Sequence, residues 1–386
     1  MILTLNAGSS SLKFALFDDA VEAPVASGLV DRIGAGGTLR LRDAAGADLP
    51  QVGESLDTHA DALGTVLDSL SAAFPGRRIE GVGHRVVHGG TAFAAPVRVD
   101  AGVLAALEPL AAFAPLHQPH NLAGIRAAMA AFPDAIQIAC FDTAFHRTHS
   151  FVNDTFGLPR RYFDAGVRRY GFHGLSYDYI AGELARRAPR LAEGRVVVAH
   201  LGNGASMCAM QSGRSVASTM GFSALDGLPM GTRCGQLDPG VVLYLMEQEG
   251  LGAAEISDLL YNRSGLLGLS GLSNDMRTLE ASDAAEAREA IDYFVHRIRR
   301  EAGALAADLG GIDALVFCGG IGENSAAVRA RVCAGLGWMG LELDPDANRR
   351  NAEVISTAAA RTAVLVIPTS EEQVIARAVR AAAAQV

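Results

Sequence analysis

Short apolar runs, each emptying into a polar turn, recur along the chain and alternate with longer segments whose apolar positions return every third or fourth residue. The short runs have strand character and the long ones helix character, which predicts an α/β protein. Ile2 to Leu5 and Leu12 to Phe17 read as a strand pair around a turn, and Val196 to Ala199 with Ala205 to Met210 repeat that arrangement. This is one module used twice, and it predicts two similar halves facing each other. Further strands are expected at Ile79 to Val86, Ala135 to Phe141, Ala314 to Phe317 and Ala363 to Ile367. Helices are expected over Ser55 to Phe74, Asp100 to Phe113, Asp283 to Leu309 and Ser325 to Leu336, with Ser55, Asp100 and Asp283 as N-caps. Glu371 opens a last helix.

Three of the turns are rich in glycine: Asn6-Ala7-Gly8-Ser9-Ser10-Ser11, His200-Leu201-Gly202-Asn203-Gly204-Ala205-Ser206 and Gly319-Gly320-Ile321-Gly322-Glu323-Asn324. Glycine allows positive φ and lets successive amides converge on an anion, so turns of this kind at strand ends form phosphate cradles. Three of them, spread over both halves, point to a nucleotide held in a cleft between the halves. The third turn precedes a helix expected from Ser325, which adds the positive end of a helix dipole.

Composition narrows the choice. The chain has 386 residues, 49% of them hydrophobic and 19% charged, enough for two ordered domains with a large core. Its formal net charge of −9 and scattered arginine pairs such as Arg186-Arg187 leave no basic stripe for nucleic acid and favour a small-molecule partner. The five cysteines (Cys140, Cys208, Cys234, Cys318, Cys333) are odd in number and lack Cys-x-x-Cys spacing, which argues against a disulfide framework or a zinc site and fits a reducing cytoplasm. Neither a signal peptide nor a membrane anchor is read from the chain.

Lys13 is the only lysine. A P-loop needs Gly-Lys-Ser/Thr, and Lys13 sits instead in Ser-Leu-Lys-Phe. A protein kinase needs His-Arg-Asp, and here His84-Arg85 is followed by Val86. Rossmann spacing at Gly335, Gly337 and Gly340 follows a helical segment and places Trp338 where the backbone must approach a pyrophosphate. All three readings are set aside.

Positive clamps must therefore come from arginine, whose planar fork grips a carboxylate or phosphate in a way lysine cannot. Arg85 stands between a strand and His88-Gly89-Gly90, and Arg233 stands in Met230-Gly231-Thr232-Arg233-Cys234-Gly235; glycine neighbours favour function over a surface ion pair for both. Asp142 ends a strand, where it either caps a turn or supplies a carboxylate to a divalent cation bound with ATP. Glu371 offers the same ligand or complements a helix dipole. His173, in Tyr170-Gly171-Phe172-His173-Gly174, is either structural or functional, and its glycine flanks favour function.

Leu5 to Lys13 and His200 to Ser206 resemble the two signature motifs of the acetate kinase family. Gly83 to Gly90, Phe141 to His146, Gly171 to Gly174, Gly231-Thr232-Arg233, Gly319 to Asn324 and Glu371-Glu372 resemble further blocks of that family in its order, over essentially the whole chain. The resemblance implies a two-domain actin-like (ribonuclease H-like) α/β fold, shared with hexokinase-type sugar kinases and heat-shock ATPases. This fold has a duplicated β-sheet core, flanking helices and an interdomain active-site cleft. It implies an N-terminal lobe over 1–146 plus 374–386, a C-terminal nucleotide-binding lobe over 147–373, and a cytoplasmic homodimer. The implied reaction is Mg2+-dependent (or Mn2+-dependent) in-line transfer of the γ-phosphoryl of ATP to acetate, giving ADP and acetyl phosphate. Arg85 and Arg233 would hold the carboxylate and the phosphoryl in flight, Asp142 would be the catalytic acid and His173 would donate to a phosphoryl oxygen. Asn6 and Glu371 would organise the metal. Lys13, His200, Leu201, Gly202, Asn203, Gly204, Asp275, Met276, Arg277, Gly320, Ile321, Gly322, Glu323 and Asn324 would contact nucleotide.

Ala224 replaces a proline common in the family, beside where the substrate methyl is expected against Val87, Leu116 and Phe172. An extra methylene in such a pocket changes binding by about 1–3 kcal/mol, so propionate stands as the alternative acceptor. Gln118, His120, Leu175 and Tyr177 also replace more usual residues, with no function assigned to them. A sugar kinase would use Asp142 as a base toward a hydroxyl and would not need two carboxylate-gripping arginines. An actin-like ATPase would hydrolyse nucleotide without acetate.

Overall fold

A computed structural model describes residues 1–8, 10–18, 22–53, 55–115 and 117–385. Ser9 of the first turn and Leu116 of the expected methyl pocket lie outside the described residues. The chain divides into two compact units, Met1–Phe145 with Ser370–Val386, and His146–Thr369.

The first unit is built on β1 (Ile2–Ala7), β2 (Ser11–Phe17), β3 (Ala26–Asp31), β4 (Thr38–Asp43), β5 (Gly81–Val86), β6 (Val97–Arg98) and β7 (Ile136–Phe141), in the sheet order β4-β3-β2-β1-β5-β7-β6. β1 and β2 pair antiparallel from Ile2 opposite Phe17 to Ala7 opposite Leu12. β5 runs parallel to β1 from Ile2 opposite Gly81 to Leu5 opposite His84, and β7 runs parallel to β5 as far as Val86 opposite Phe141. The inner strands are covered on both faces, which explains their nearly continuous apolar sequence. The C-terminal helix Glu371–Ala383 lies against β5, where Gly81 and Gly83 leave the space that Val379 and Ile375 fill; a Cβ at either glycine would collide with them. That packing brings Glu371 back to the first unit.

The second unit carries β8 (Arg195–Leu201), β9 (Ala205–Gln211), β10 (Arg214–Ser218), β11 (Ala314–Cys318) and β12 (Ala363–Val366), in the order β10-β9-β8-β11-β12. β8 and β9 form an antiparallel hairpin, while β11 runs parallel to both β8 and β12. This reproduces β3-β2-β1-β5-β7 strand for strand in order and direction, so the duplication read from two hairpins extends to five strands in each unit. The helix Ala285–Leu309 covers this sheet with Ile291, Phe294, Val295, Ile298 and Leu305 buried.

Three helix starts differ from expectation. The first helix begins at His59, because Thr58 and Asp61 form a reciprocal capping box, and Ser55 bonds Asp57 instead. The long helix begins at Ala285 with Ala284 at its N-cap, while the carbonyl of Asp283 accepts from Arg288. Gly319–Asn324, expected as a turn, is a short helix, and Ser325 caps the next one (Ala326–Ala334) by accepting from Val328 N–H. β3, β4, β6 and β10 were not expected. Among the described residues, no helix is long and apolar enough to cross a membrane.

Candidate active site

In the first unit, polar side chains gather where β1, β5 and β7 end. Arg85 Nε donates to Asp142 Oδ1 at 3.0 Å and Nη2 donates to Oδ2 at 2.6 Å, a two-pronged grip on a carboxylate that is 1% exposed. Arg85 Nη1 reaches Asn6 Oδ1 at 3.3 Å, and Glu371 Oε2 lies 3.6 Å from Nε. Three of the expected site residues thus meet around the guanidinium of a fourth. Burial opposes the charge on Arg85, but Asp142 and Glu371 outweigh it and push the guanidinium pKa up. Burial raises the Asp142 carboxyl above its ordinary value, with Arg85 pulling it back and Glu371 adding to the rise. Among the described residues, no cluster of three or more His, Cys, Asp or Glu side chains is arranged to hold a metal ion.

The ladder between β1 and β5 ends at Leu5 and His84, one residue before Asn6 and Arg85. A side chain continues it. Asn121, 3% exposed on the helix Gln118–Ala131, donates from Nδ2 to Ala7 O at 2.7 Å and accepts Val87 N–H at 2.9 Å through Oδ1. Gln118, fully buried, accepts His88 N–H at 3.2 Å and donates to His88 O at 3.0 Å. His120 stacks on His59 at 5.3 Å, and His59 Nε2 meets Gly8 O at 2.6 Å. The unusual residues Gln118 and His120 therefore brace the strand ends and the first turn. Val87 is buried, and Lys13 is half exposed with Nζ 2.5 Å from Glu372.

In the second unit, Gly202, Asn203, Asp275, Met276, Arg277, Gly320, Ile321 and Asn324 line one cavity of about 650 Å³, together with Asn274, Glu280 and Ser325. The family resemblance assigns eight of these to nucleotide, in three separate segments. Gly319 has φ +75°, and a Cβ there would lie 2.8 Å from Leu201 O, so only glycine brings the third turn against the second. Asp275 accepts from Arg277 N–H as a helix cap and pairs with the Arg277 side chain, which is 88% exposed. The carboxylate of Glu323 accepts Gly319 N–H at 2.8 Å and Thr369 N–H at 3.1 Å, bracing the turn. Arg329, fully buried, donates to Gly322 O, Glu323 O and Asn348 O and holds the turn from below.

His173 adopts φ +57° immediately before the helix Gly174–Arg187, a left-handed conformation that a side-chain-bearing residue rarely takes without surrounding support. Its ring stacks on His200 with centroids 4.4 Å apart. Its Nδ1 meets Ser206 Oγ at 2.8 Å. A Cβ on Gly204 would lie 3.2 Å from His173 Nε2, so that nitrogen faces the second turn. Phe172 is buried, and its carbonyl meets His146 Nε2 at 3.0 Å. Arg233 Nη1 donates to Ala224 O at 3.2 Å, and its loop is fitted to the second turn through Gly231, whose N–H donates to Asn203 O at 3.1 Å. Asn121 and Arg329 were missed as parts of these sites, because a buried amide or guanidinium reads in sequence like an ordinary surface polar residue.

A duplicated α/β fold that carries charged side chains at the strand ends of one unit and glycine turns at those of the other has the parts of a phosphotransferase. The profile of the Acetokinase family matches residues 1–377, and the chain belongs to that family. It is 59% identical to the acetate kinase of Methylocella silvestris over 97% of this chain and 96% of that one. Its fold is similar to the crystal structure of Porphyromonas gingivalis acetate kinase, with a TM-score of 0.89 and 37% identity over 97% and 98% of the two chains. It is also similar to a propionate kinase from Francisella tularensis, with a TM-score of 0.92 and 34% identity over 98% of each.

Proposed function

We propose that this protein catalyses reversible, Mg2+-dependent transfer of the γ-phosphoryl of ATP to acetate, giving acetyl phosphate and ADP by in-line displacement. The observation that carries the reading is the guanidinium of Arg85, fixed at a strand end by Asp142, Asn6 and Glu371. A carboxylate needs little activation as a nucleophile but is repelled by a triphosphate, so catalysis must screen charge and align oxygens around phosphorus. Asp142 occupies the Nε edge of Arg85 and so orients its Nη1 side for an anion. It is also the proposed acid: burial raises its pKa, and the Arg85 fork opposes that rise. Arg233 and His173 supply further donors to the phosphoryl in flight, and the cavity between the second and third turns takes the nucleotide. Asn6 and Glu371, both on Arg85 with Asp142 beside them, form the all-oxygen, carboxylate-poor donor set that suits Mg2+ or Mn2+, because such ions keep phosphate and water oxygens as their other ligands. The ion would screen phosphate charge when bound.

Propionate is the second reading, favoured by the small Ala224 beside Arg233. Trapping acyl phosphate with hydroxylamine, while following ADP release with acetate, propionate, butyrate, glycerol and glucose, tests both. Carboxylate-dependent product with acetate foremost is expected. ADP release that ignores the carboxylate contradicts the reading.

The working form is proposed to be a cytoplasmic homodimer. The helix Pro239–Glu247 buries none of its residues within the chain, and Leu243, Tyr244 and Met246 are each more than half exposed. An apolar helix with no packed face needs cover, and a second copy supplies it symmetrically. Leu243→Glu should convert a dimer to a monomer by light scattering, and a monomeric wild type overturns this assignment.

A further inference from the structure

Tyr177 has no counterpart in the roles discussed so far, yet it is fully buried one helical turn beyond His173. Its hydroxyl lies 2.5 Å from Ser206 Oγ, and the same Ser206 Oγ lies 2.8 Å from His173 Nδ1. Ser206 sits on β9, directly after the second glycine turn. The three groups form an unbroken line from a buried phenol to the imidazole that faces that turn.

Chemistry sets the direction of the protons in this line. A phenol is a stronger donor and a weaker acceptor than an aliphatic hydroxyl, so Tyr177 O–H donates to Ser206 Oγ. A hydroxyl that accepts such a bond is itself polarised and becomes a better donor to the next group. Ser206 O–H then donates to His173 Nδ1, which must be the unprotonated nitrogen of a neutral ring. Burial holds the Tyr177 phenol well above its usual pKa, which keeps its proton in place.

We infer that Tyr177 and Ser206 are positioning residues that fix His173 as the tautomer protonated on Nε2, the nitrogen turned toward the Gly202 to Gly204 backbone. The inference rests on the proposed donation from His173 to a phosphoryl oxygen, because only that tautomer offers a neutral donor on the correct side. Neighbouring groups agree with an ordered ring. His200 lies flat against His173, and its own Nδ1 meets Ser176 Oγ at 2.8 Å, so the first turn of one helix secures both imidazoles.

The test combines ring-nitrogen NMR of protein labelled with ¹⁵N-histidine and kinetics with acetate and ATP. The His173 signal is assigned by its loss in His173→Gln. The wild type should show the Nε2-protonated pattern, and Tyr177→Phe and Ser206→Ala should each shift the population toward Nδ1–H. Tyr177→Phe should lower kcat about tenfold with both KM values within about twofold, since a misplaced donor costs a fraction of what general acid or hydrogen-bond assistance provides. In a His173→Gln background Tyr177→Phe should change kcat less than about twofold, because a residue acting through another is silent once that other is gone. An Nδ1-protonated wild type, or a tautomer unmoved by both variants, overturns the inference. If His173→Gln retains full kcat while the NMR pattern holds, the proposed donation by His173 fails and the tautomer assignment stands. Ser206→Ala supplies the same reading should Tyr177→Phe unfold, with thermal unfolding as the check.

Discussion

The two units share five strands in the same order and direction, but they use their strand ends differently. In the first, β1, β5 and β7 end in Asn6, Arg85 and Asp142, so the site is made of side-chain charge. In the second, β8 and β11 run into Gly202 and Gly319, so the cavity is made of backbone brought close by the lack of side chains. One scaffold thus yields a site that depends on ion pairing and another that depends on conformation. Substitutions should fail in correspondingly different ways.

The largest effect is expected at Arg85. Arg85→Ala removes the clamp and leaves Asp142 buried without its cation, so kcat/KM should fall on the order of a thousandfold and stability by about 3–5 kcal/mol. Arg85→Lys should not rescue the rate, since an ammonium cannot keep both the Asp142 fork and the contact to Asn6. Activity within about threefold of wild type in either variant would remove Arg85 from the mechanism.

Acid should weaken the first unit's sheet through His84, the residue before Arg85. Burial lowers its pKa to about 4, partly offset by its hydrogen bond to Gln137. The unfolded chain takes up this proton first, so the stability tied to a neutral His84 is complete above pH 6.5 and is lost as pH falls toward 4. Chemical denaturation at pH 7 and pH 4 should show wild type losing about 3 kcal/mol more than His84→Asn. Equal losses would show that His84 does not carry this linkage.

The backbone site should respond to added volume instead. Gly319→Ala meets both an unfavourable φ and the Leu201 carbonyl, and should cost about 2 kcal/mol and raise the KM for ATP about tenfold with the KM for acetate little changed. The smallest effect is expected at Arg277, whose exposed side chain is paired to Asp275. Arg277→Ala should raise the KM for ATP by no more than about threefold, as expected for a solvent-screened contact.

The same contrast separates what the sequence revealed from what it hid. The glycine turns announce themselves by composition, and Gly319 requires glycine both for its positive φ and for its close approach to Leu201; the hairpins follow from apolar runs of the right length. Arg85 and Asp142 were legible because a charge at the end of an apolar strand has few structural reasons to be there. The outer strands were less legible. Thr38–Asp43 alternates buried and exposed positions as an edge strand should, but its arginines resemble a loop to any reading that seeks continuous apolar runs. The braces Asn121, Gln118, Glu323 and Arg329 were invisible because their partners are backbone groups distant in sequence. Glu323 shows the consequence: nothing in the sequence reveals that its carboxylate accepts the Gly319 and Thr369 amides.

We propose that Arg85 and Arg233 act on the same phosphoryl transfer to acetate. A double-mutant cycle of Arg85→Ala and Arg233→Ala, read as kcat/KM for acyl phosphate formation, tests it most directly. Single losses of at least about a hundredfold each are expected, with a double variant far less impaired than their product, as for groups acting on one transition state. Two losses that multiply, or two that are small, would contradict it.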